Sequence, residues 1–190
     1  MYLPPHFAVD ERAWALDLVA RYPFGILMTC EHEYPRASHL PMLAEERGND
    51  VWILGHVARA NPQAEAIFAG AIATAVFQGP HAYVSPRWYE RPDRSVPTWN
   101  YLAVHCYGRL RECAPRPVLE RLVAAFETGD ERWSLDQVET DYAEKQLRGI
   151  VAFELRAEEL FAKAKLGQNR SAVDQARVAK ETGLGPKLGG

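Results

Sequence analysis

The chain has 190 residues, is 47% hydrophobic and 25% charged, and carries a formal net charge of −3. These values describe an ordinary soluble globule of one domain, long enough to bury a core without staples, and they speak against the basic face typical of nucleic-acid binding. Three cysteines, an odd number with no C-x-x-C spacing, argue against a disulfide framework or a zinc knuckle and fit a reducing cytoplasm. The start, MYLPPHFAVDERAW, has no basic region followed by an apolar core, and no run of about 18 apolar residues follows, so neither a signal peptide nor a membrane-spanning helix is expected.

In chain order, Asp10 to Ala20 reads as a helix capped by Asp10, with Trp14, Leu18 and Val19 in a stripe and Pro23 as its stop. FGILMTC (24–30) is an apolar strand, EHEYP (31–35) a hairpin turn, RASHLPM (36–42) a more polar strand, LAEERGND (43–50) a turn and VWILGH (51–56) a third strand. Residues 58–70 read as a loop and short helix, with Asn61 as cap, Pro62 at the first helical position and Gly70 as the stop. AIATAVFQ (71–78) and HAYVS (81–85) read as strands broken by Gly79-Pro80, and 86–97 as an exposed loop. A long strand over 101–112 follows, then a helix over 115–129 with Val118, Leu119, Leu122, Val123 and Phe126 on one side. A helix over 134–149, a last strand over 150–155 and a tail of one or two short helices from AEELFAKAK onward complete the reading, so residues from about 114 to 190 form a largely helical portion. Strands clustered early with helices later predict an antiparallel β-barrel of six or so strands with peripheral helices rather than a βαβ fold. There is no G-x-G-x-x-G, P-loop or G-x-S-x-G to suggest a Rossmann domain, an NTPase or an α/β-hydrolase.

Five stretches could carry chemistry. GHVARANPQ (55–63) joins a strand end to a helix start, where free N–H groups attract phosphate; Arg59 could grip it, with His56 and Asn61 as further donors. The plainer reading is that Asn61 only caps and Arg59 is solvated. In RASHLPML (36–43), Ser38 and His39 precede Pro41, which marks an edge strand or frees a carbonyl for a ligand. GPHAYVSPRWYE (79–90) offers His81, Tyr83, Trp88 and Tyr89 as an interface or as a satellite core under the 86–97 loop. VPTWNYLAVHCYG (96–108) sets Trp99, Asn100 and Tyr101 side by side near His105, as a platform for a flat polar-edged ligand or as a lock for that loop. KAKLGQNRSAVD (163–174) gathers Lys163, Lys165, Gln168, Asn169 and Arg170 around a glycine, and taken alone is a solvated turn before a helix. No nucleophile–base set and no close metal-ligand spacing is evident.

The ordered set MYLPPHF, PRASHLPML, GHVARANPQ, GPHAYVSPRWY, VPTWNYLAVHCYG and KLGQNRS resembles the PaiB-type FMN-binding negative transcriptional regulators, from Met1 to about Leu184. One departure stands out: Gly167 occupies the place of that family's usual serine. The resemblance implies a split β-barrel of the pyridoxamine-phosphate-oxidase-like kind, a homodimer, and two FMN sites at the subunit interface. It implies that Arg59, His56 and Asn61 hold the FMN phosphate, that Ser38, His39, Leu40 and Pro41 run beside the isoalloxazine edge, that Trp99 and Asn100 wall the ring, and that Gln168 and Asn169 close the site. Three functions follow as expectations. The first is a flavin-binding protein that exchanges electrons with a small molecule, with no catalytic residue named. The second is transcriptional repression, for which Lys163, Lys165 and Arg170 are the one modest basic cluster facing DNA. The third is haem handling through His81 or His105.

Overall fold

The computed structural model describes residues 1–30 and 34–186. In chain order the elements are β1 (Ala8–Val9), α1 (Arg12–Arg21), β2 (Phe24–Thr29), β3 (Arg36–Pro41), β4 (Leu43–Arg47), β5 (Asp50–Ala58), α2 (Gln63–Phe68), β6 (Ile72–Val84), β7 (Thr98–Cys113), α3 (Pro115–Phe126), α4 (Thr140–Arg148), β8 (Ile150–Lys165) and α5 (Ala172–Thr182). The strand order is β3-β2-β6-β7-β8-β5-β4, with β1 added on β8. The pairs β2·β3, β2·β6, β4·β5, β5·β8 and β1·β8 are antiparallel. The chain forms two compact units, one of residues 1–22, 77–105 and 160–190, the other of 23–76 and 106–159.

The second unit contains β2 to β5, α2, α3 and α4, with the adjoining parts of β6, β7 and β8. In β2, Gly25, Leu27 and Thr29 are buried and Phe24 and Met28 exposed, the period of a strand with one face inward. Residues opposite one another share a face, so Ser38 and Leu40 lie with Leu27 and Gly25, while His39 and Pro41 lie with Ile26 and Phe24. Leu54 and Ala152, on neighbouring strands, meet Val118 and Leu122 of α3. Gly108 lies where β7 and β8 press together: a Cβ there would stand 1.9 Å from the carbonyl oxygen of Arg156.

The first unit contains β1, α1, α5 and the adjoining ends of β6, β7 and β8. Leu18 of α1 is fully buried, and Val84, Tyr89 and Val178 form a separate cluster that docks α5.

Several elements differ from the sequence reading. Residues 43–47 are a strand, because the turn is only Gly48-Asn49, with Gly48 at φ +62°. Gly79-Pro80 does not break β6: a Cβ on Gly79 would stand 2.9 Å from Leu18 Cδ1 and 3.1 Å from Leu102 Cβ, so the glycine is where α1 sits tight on the strand. β7 begins three residues earlier than expected and therefore contains Trp99 and Asn100. Residues 156–165 continue β8 instead of forming a helix, because Ala162 and Lys163 pair with β1; tertiary pairing overrides the helix propensity of Ala, Glu and Lys. α1 starts at Arg12 behind Glu11 with no side-chain cap, so Asp10 does not cap it. α3 ends at Phe126, and the expected helix over 134–149 is a short 3₁₀ turn at Leu135–Gln137 followed by α4. The turn expected over 31–35 falls partly outside the described residues.

Replacing Gly108 by Ala must push two strands apart. We expect a loss of about 3 kcal/mol or more in urea unfolding; an unchanged midpoint would show that the strands can part at no cost.

Candidate functional site

The corner after β5 is built by short polar side chains. Pro62 already has helical angles (φ −54°, ψ −26°), and Asn61 Oδ1 accepts the Gln63 backbone N–H at 2.9 Å, so Asn61 does cap the short α2. Its Nδ2 donates to Ser38 Oγ at 2.9 Å, joining two of the expected site residues across 23 positions of sequence. Gln63 is 1% exposed and completes the tie. Its Nε2 faces three acceptors: Thr29 Oγ1 at 2.9 Å, Leu27 O at 3.2 Å and Arg36 O at 3.4 Å. Three acceptors around one atom settle which end of the amide points there. Gln63 Oε1 is left buried without a partner.

Arg59 is exposed and fixed. Its Nε and Nη2 donate to the carbonyls of Arg148 (2.8 Å) and Ile150 (3.1 Å), and its own N–H donates to Gly149 O at 2.8 Å. Five N–H groups less these two leave three on the guanidinium for an anion. His56 stands on the same face of β5 as Leu54, which α3 covers. Its Nδ1 is buried without a partner, and burial pushes its pKa below the ordinary value, so the ring is neutral at pH 7. β3 is the end strand of the sheet, which leaves backbone groups of residues 37–41 on its outer side without a neighbouring strand. Leu40 is buried there, His39 is exposed and stacks with Phe24 at 6.4 Å, and Pro41 is half-buried.

The remaining expected residues lie in the first unit. Strand alternation separates Trp99 from Asn100. Trp99 is 52% exposed and meets the rings of His81 (6.1 Å) and Tyr83 (6.0 Å), whereas Asn100 is 2% exposed with Nδ2 unpartnered. The 79–90 stretch divides the same way: Trp88 and Tyr89 pack into the α5 cluster, and Tyr83 stays outside. Gln168 is spent on its own turn, accepting from Leu166 N–H at 2.8 Å and donating to Ala164 O at 2.5 Å. Gly167 in that turn has φ +82°, a conformation in which the serine usual in the resembled family would be strained. Asn169 lines a cavity with Asn100. Two parts of these sites were not singled out from the sequence. Gln63 looked like an ordinary first-turn helix residue, and nothing local marks it as buried. Thr98 binds Lys165 through a contact 67 positions long.

Two of the thiols are poor nucleophiles: burial pushes Cys106 to about 12 and Cys113 to about 11. Among the described residues no group of three His, Cys, Asp or Glu could hold a metal ion, and no helix is long and apolar enough to cross a membrane.

Comparison with known proteins gives a consistent picture. Residues 1–159 match the family described as "Putative FMN-binding domain". The chain is 35% identical over 187 residues to Protease synthase and sporulation protein PAI 2 of Bacillus subtilis, covering 95% of this chain and 88% of that protein. Among solved structures it resembles the FAD and heme binding protein from Mycobacterium smegmatis (17% identity, TM-score 0.64, 89% of this chain and 78% of that one). It also resembles the flavocytochrome Anf3 from Azotobacter vinelandii (15% identity, TM-score 0.64, 90% and 75%). At these identities the two structures speak for the fold alone, a mainly β split barrel with helices around it.

Two outcomes follow from this geometry. Gln63→Leu removes the donor shared by Thr29 Oγ1, Leu27 O and Arg36 O and should cost about 1–3 kcal/mol in urea unfolding; a loss below about 0.5 kcal/mol would mean that water replaces the amide. His56 and His105 both have pKa values lowered chiefly by burial, with Lys163 and the N-terminal amine adding to the effect at His105. The unfolded chain then binds more protons than the folded one below an ordinary imidazole value of about 6.5. Stability present above that pH is lost as pH falls toward the depressed native values. The melting temperature should drop as pH falls below about 6.5, and the drop should shrink in a His56→Gln, His105→Gln double variant.

Proposed function

The chain belongs to the FMN-binding domain family and is a flavin-binding split-barrel protein, and from that premise we propose that it holds FMN at the corner after β5 and exchanges electrons between a reductant and a small acceptor. Bound FMN would supply the redox chemistry; the protein's part is to bind, orient and shield it. The observation that carries the placement is the donor set at this corner. Arg59 is held rigid by two carbonyls and keeps three N–H groups, and Asn61 keeps one amide N–H after binding Ser38. Such a set suits the doubly charged phosphate of FMN. The free edge of β3 beside Ser38, His39, Leu40 and Pro41 offers alternating N–H and C=O groups, which match the donors and acceptors along the pyrimidine side of a flavin. His56, neutral and facing α3, serves as a support behind the corner.

We read the protein as a homodimer. The outward face of β2 and β6 exposes Phe24 (68%), Met28 (38%) and Ile72 (61%), an apolar stretch beside the β3 edge that a second copy would cover. A role in gene expression, implied by the resemblance to the PaiB-type regulators, would run through flavin chemistry rather than through DNA contact. The support is electrostatic: Arg47, Arg111, Arg116, Arg121 and Arg156 are each paired with a carboxylate, which removes them from any phosphate-binding stripe. The haem named for the Mycobacterium smegmatis neighbour is not proposed for this chain.

The purified protein should carry or take up FMN with a visible flavin spectrum. Arg59→Ala should weaken FMN by roughly 1.5–3 kcal/mol and leave riboflavin, which lacks the phosphate, bound as in the wild type. Full FMN affinity in the variant would remove the phosphate from this corner, and a wild-type protein indifferent to FMN would sink the whole reading.

A further inference from the structure

One cavity of the first unit gathers positive charge without negative. It has a volume of about 210 Å³. Phe7, Tyr89, Val96 and Pro97 give it an apolar wall, and Asn100, Lys165, Asn169 and Arg170 give it a polar one. No carboxylate is among its lining residues. Asp174 borders a smaller adjoining space and accepts the Glu90 backbone N–H at 2.8 Å.

The polar wall is only partly satisfied. Lys165 Nζ donates to Thr98 Oγ1 at 2.5 Å and to Trp99 O at 2.6 Å, both neutral acceptors, and one of its three N–H groups remains. Arg170 lies over the Tyr89 ring at 4.4 Å, a contact that steadies the guanidinium without neutralising it. Burial, Lys163 and Arg170 together push the Lys165 ammonium below its ordinary pKa, the mark of cations crowded in a poorly solvated place. Asn100, 2% exposed, keeps Nδ2 buried with no partner, and an unpaired buried amide is costly unless something arrives to accept from it.

We propose that this cavity binds a small organic anion, a carboxylate on an apolar body, as a ligand separate from the flavin. Lys165 and Arg170 supply the charge, Asn100 Nδ2 donates to a carboxylate oxygen, and the body rests on Phe7, Tyr89, Val96 and Pro97. The volume agrees, since pockets for drug-sized ligands run to about 300–1,000 Å³ and this one holds less. The inference assigns Asn100 and Asn169 to this ligand rather than to the flavin ring and requires only that FMN bind outside this cavity.

The test uses full-length protein saturated with FMN in a chloride buffer, with benzoate titrated by calorimetry beside its neutral analogue benzyl alcohol and inorganic phosphate. Benzoate should bind saturably, and tighter than benzyl alcohol by about tenfold or more, the worth of a charge-assisted contact. Arg170→Gln should weaken benzoate by about the same factor with the flavin spectrum unchanged. The wild-type comparison of charged and neutral probes decides the matter even if that variant folds poorly. Equal binding of benzoate and benzyl alcohol, or none, would overturn the proposal. Release of FMN by benzoate would overturn it too, by making the cavity part of the flavin site, and phosphate binding as well as benzoate would overturn the apolar half. Benzoate binding by a protein that takes up no FMN would support this inference while ending the flavin reading.

Discussion

The corner after β5 depends on one buried carboxamide. Gln63 opens the six-residue α2, too short to be stable alone, and its Nε2 reaches across to β2 and β3. Asn61, two residues earlier, does the same at Ser38. Together they pin a loop of otherwise exposed backbone to the last two strands of the sheet. Arg59, on that loop, is oriented from its other side by the carbonyls of Arg148 and Ile150 at the start of β8. A rigid frame with a few unspent N–H groups costs a ligand little ordering entropy, which is what a cofactor site requires.

The second unit shows how this chain handles buried charge when no ligand is involved. Glu154 is 8% exposed and sits between Arg47 and Arg111, and Arg47 also meets Glu45, which pairs with Arg121. Both Arg47 and Arg111 lie over the Trp52 ring, at 5.2 and 5.1 Å. The two guanidiniums hold the Glu154 carboxyl below its ordinary pKa although burial pulls the other way. Every sign there has its opposite. The cavity around Asn100 follows a different rule: two cations, two amides and no acid among its lining residues. A protein that balances charge so fully in one place and leaves it open in another has room for an anion in the second.

Much of the fold was legible because most elements carry a local signature. The apolar run FGILMT, the Asn-Pro opening of α2 and the stripe of α3 depend on neighbours in sequence, and each formed within a few residues of its expected place. Three of the misreadings share one cause, strand packing that local propensity does not report. The strand at 43–47 is held in a hairpin with β5, and the unbroken β6 and the continuation of β8 are held by partners far away in the chain: Leu18 against Gly79, and β1 beside Ala162 and Lys163. Local propensity for a turn or a helix is worth tenths of a kcal/mol per residue, and a strand ladder with a buried face outweighs it.

By itself the sequence determined which residue types could meet a flavin, the order of the motifs that carry the family resemblance, and a mildly acidic surface in which no basic face stands out. The tertiary structure alone decided that Ser38 serves Asn61, that Gln63 is the tie beneath them, that neighbours Trp99 and Asn100 look opposite ways, and that Lys165 and Arg170 share a cavity with an unpaired amide. The reason is physical. A side chain's type is local, but its burial and its hydrogen-bond partners are set by chain segments tens of residues away, and those distances exist only once the strands have paired.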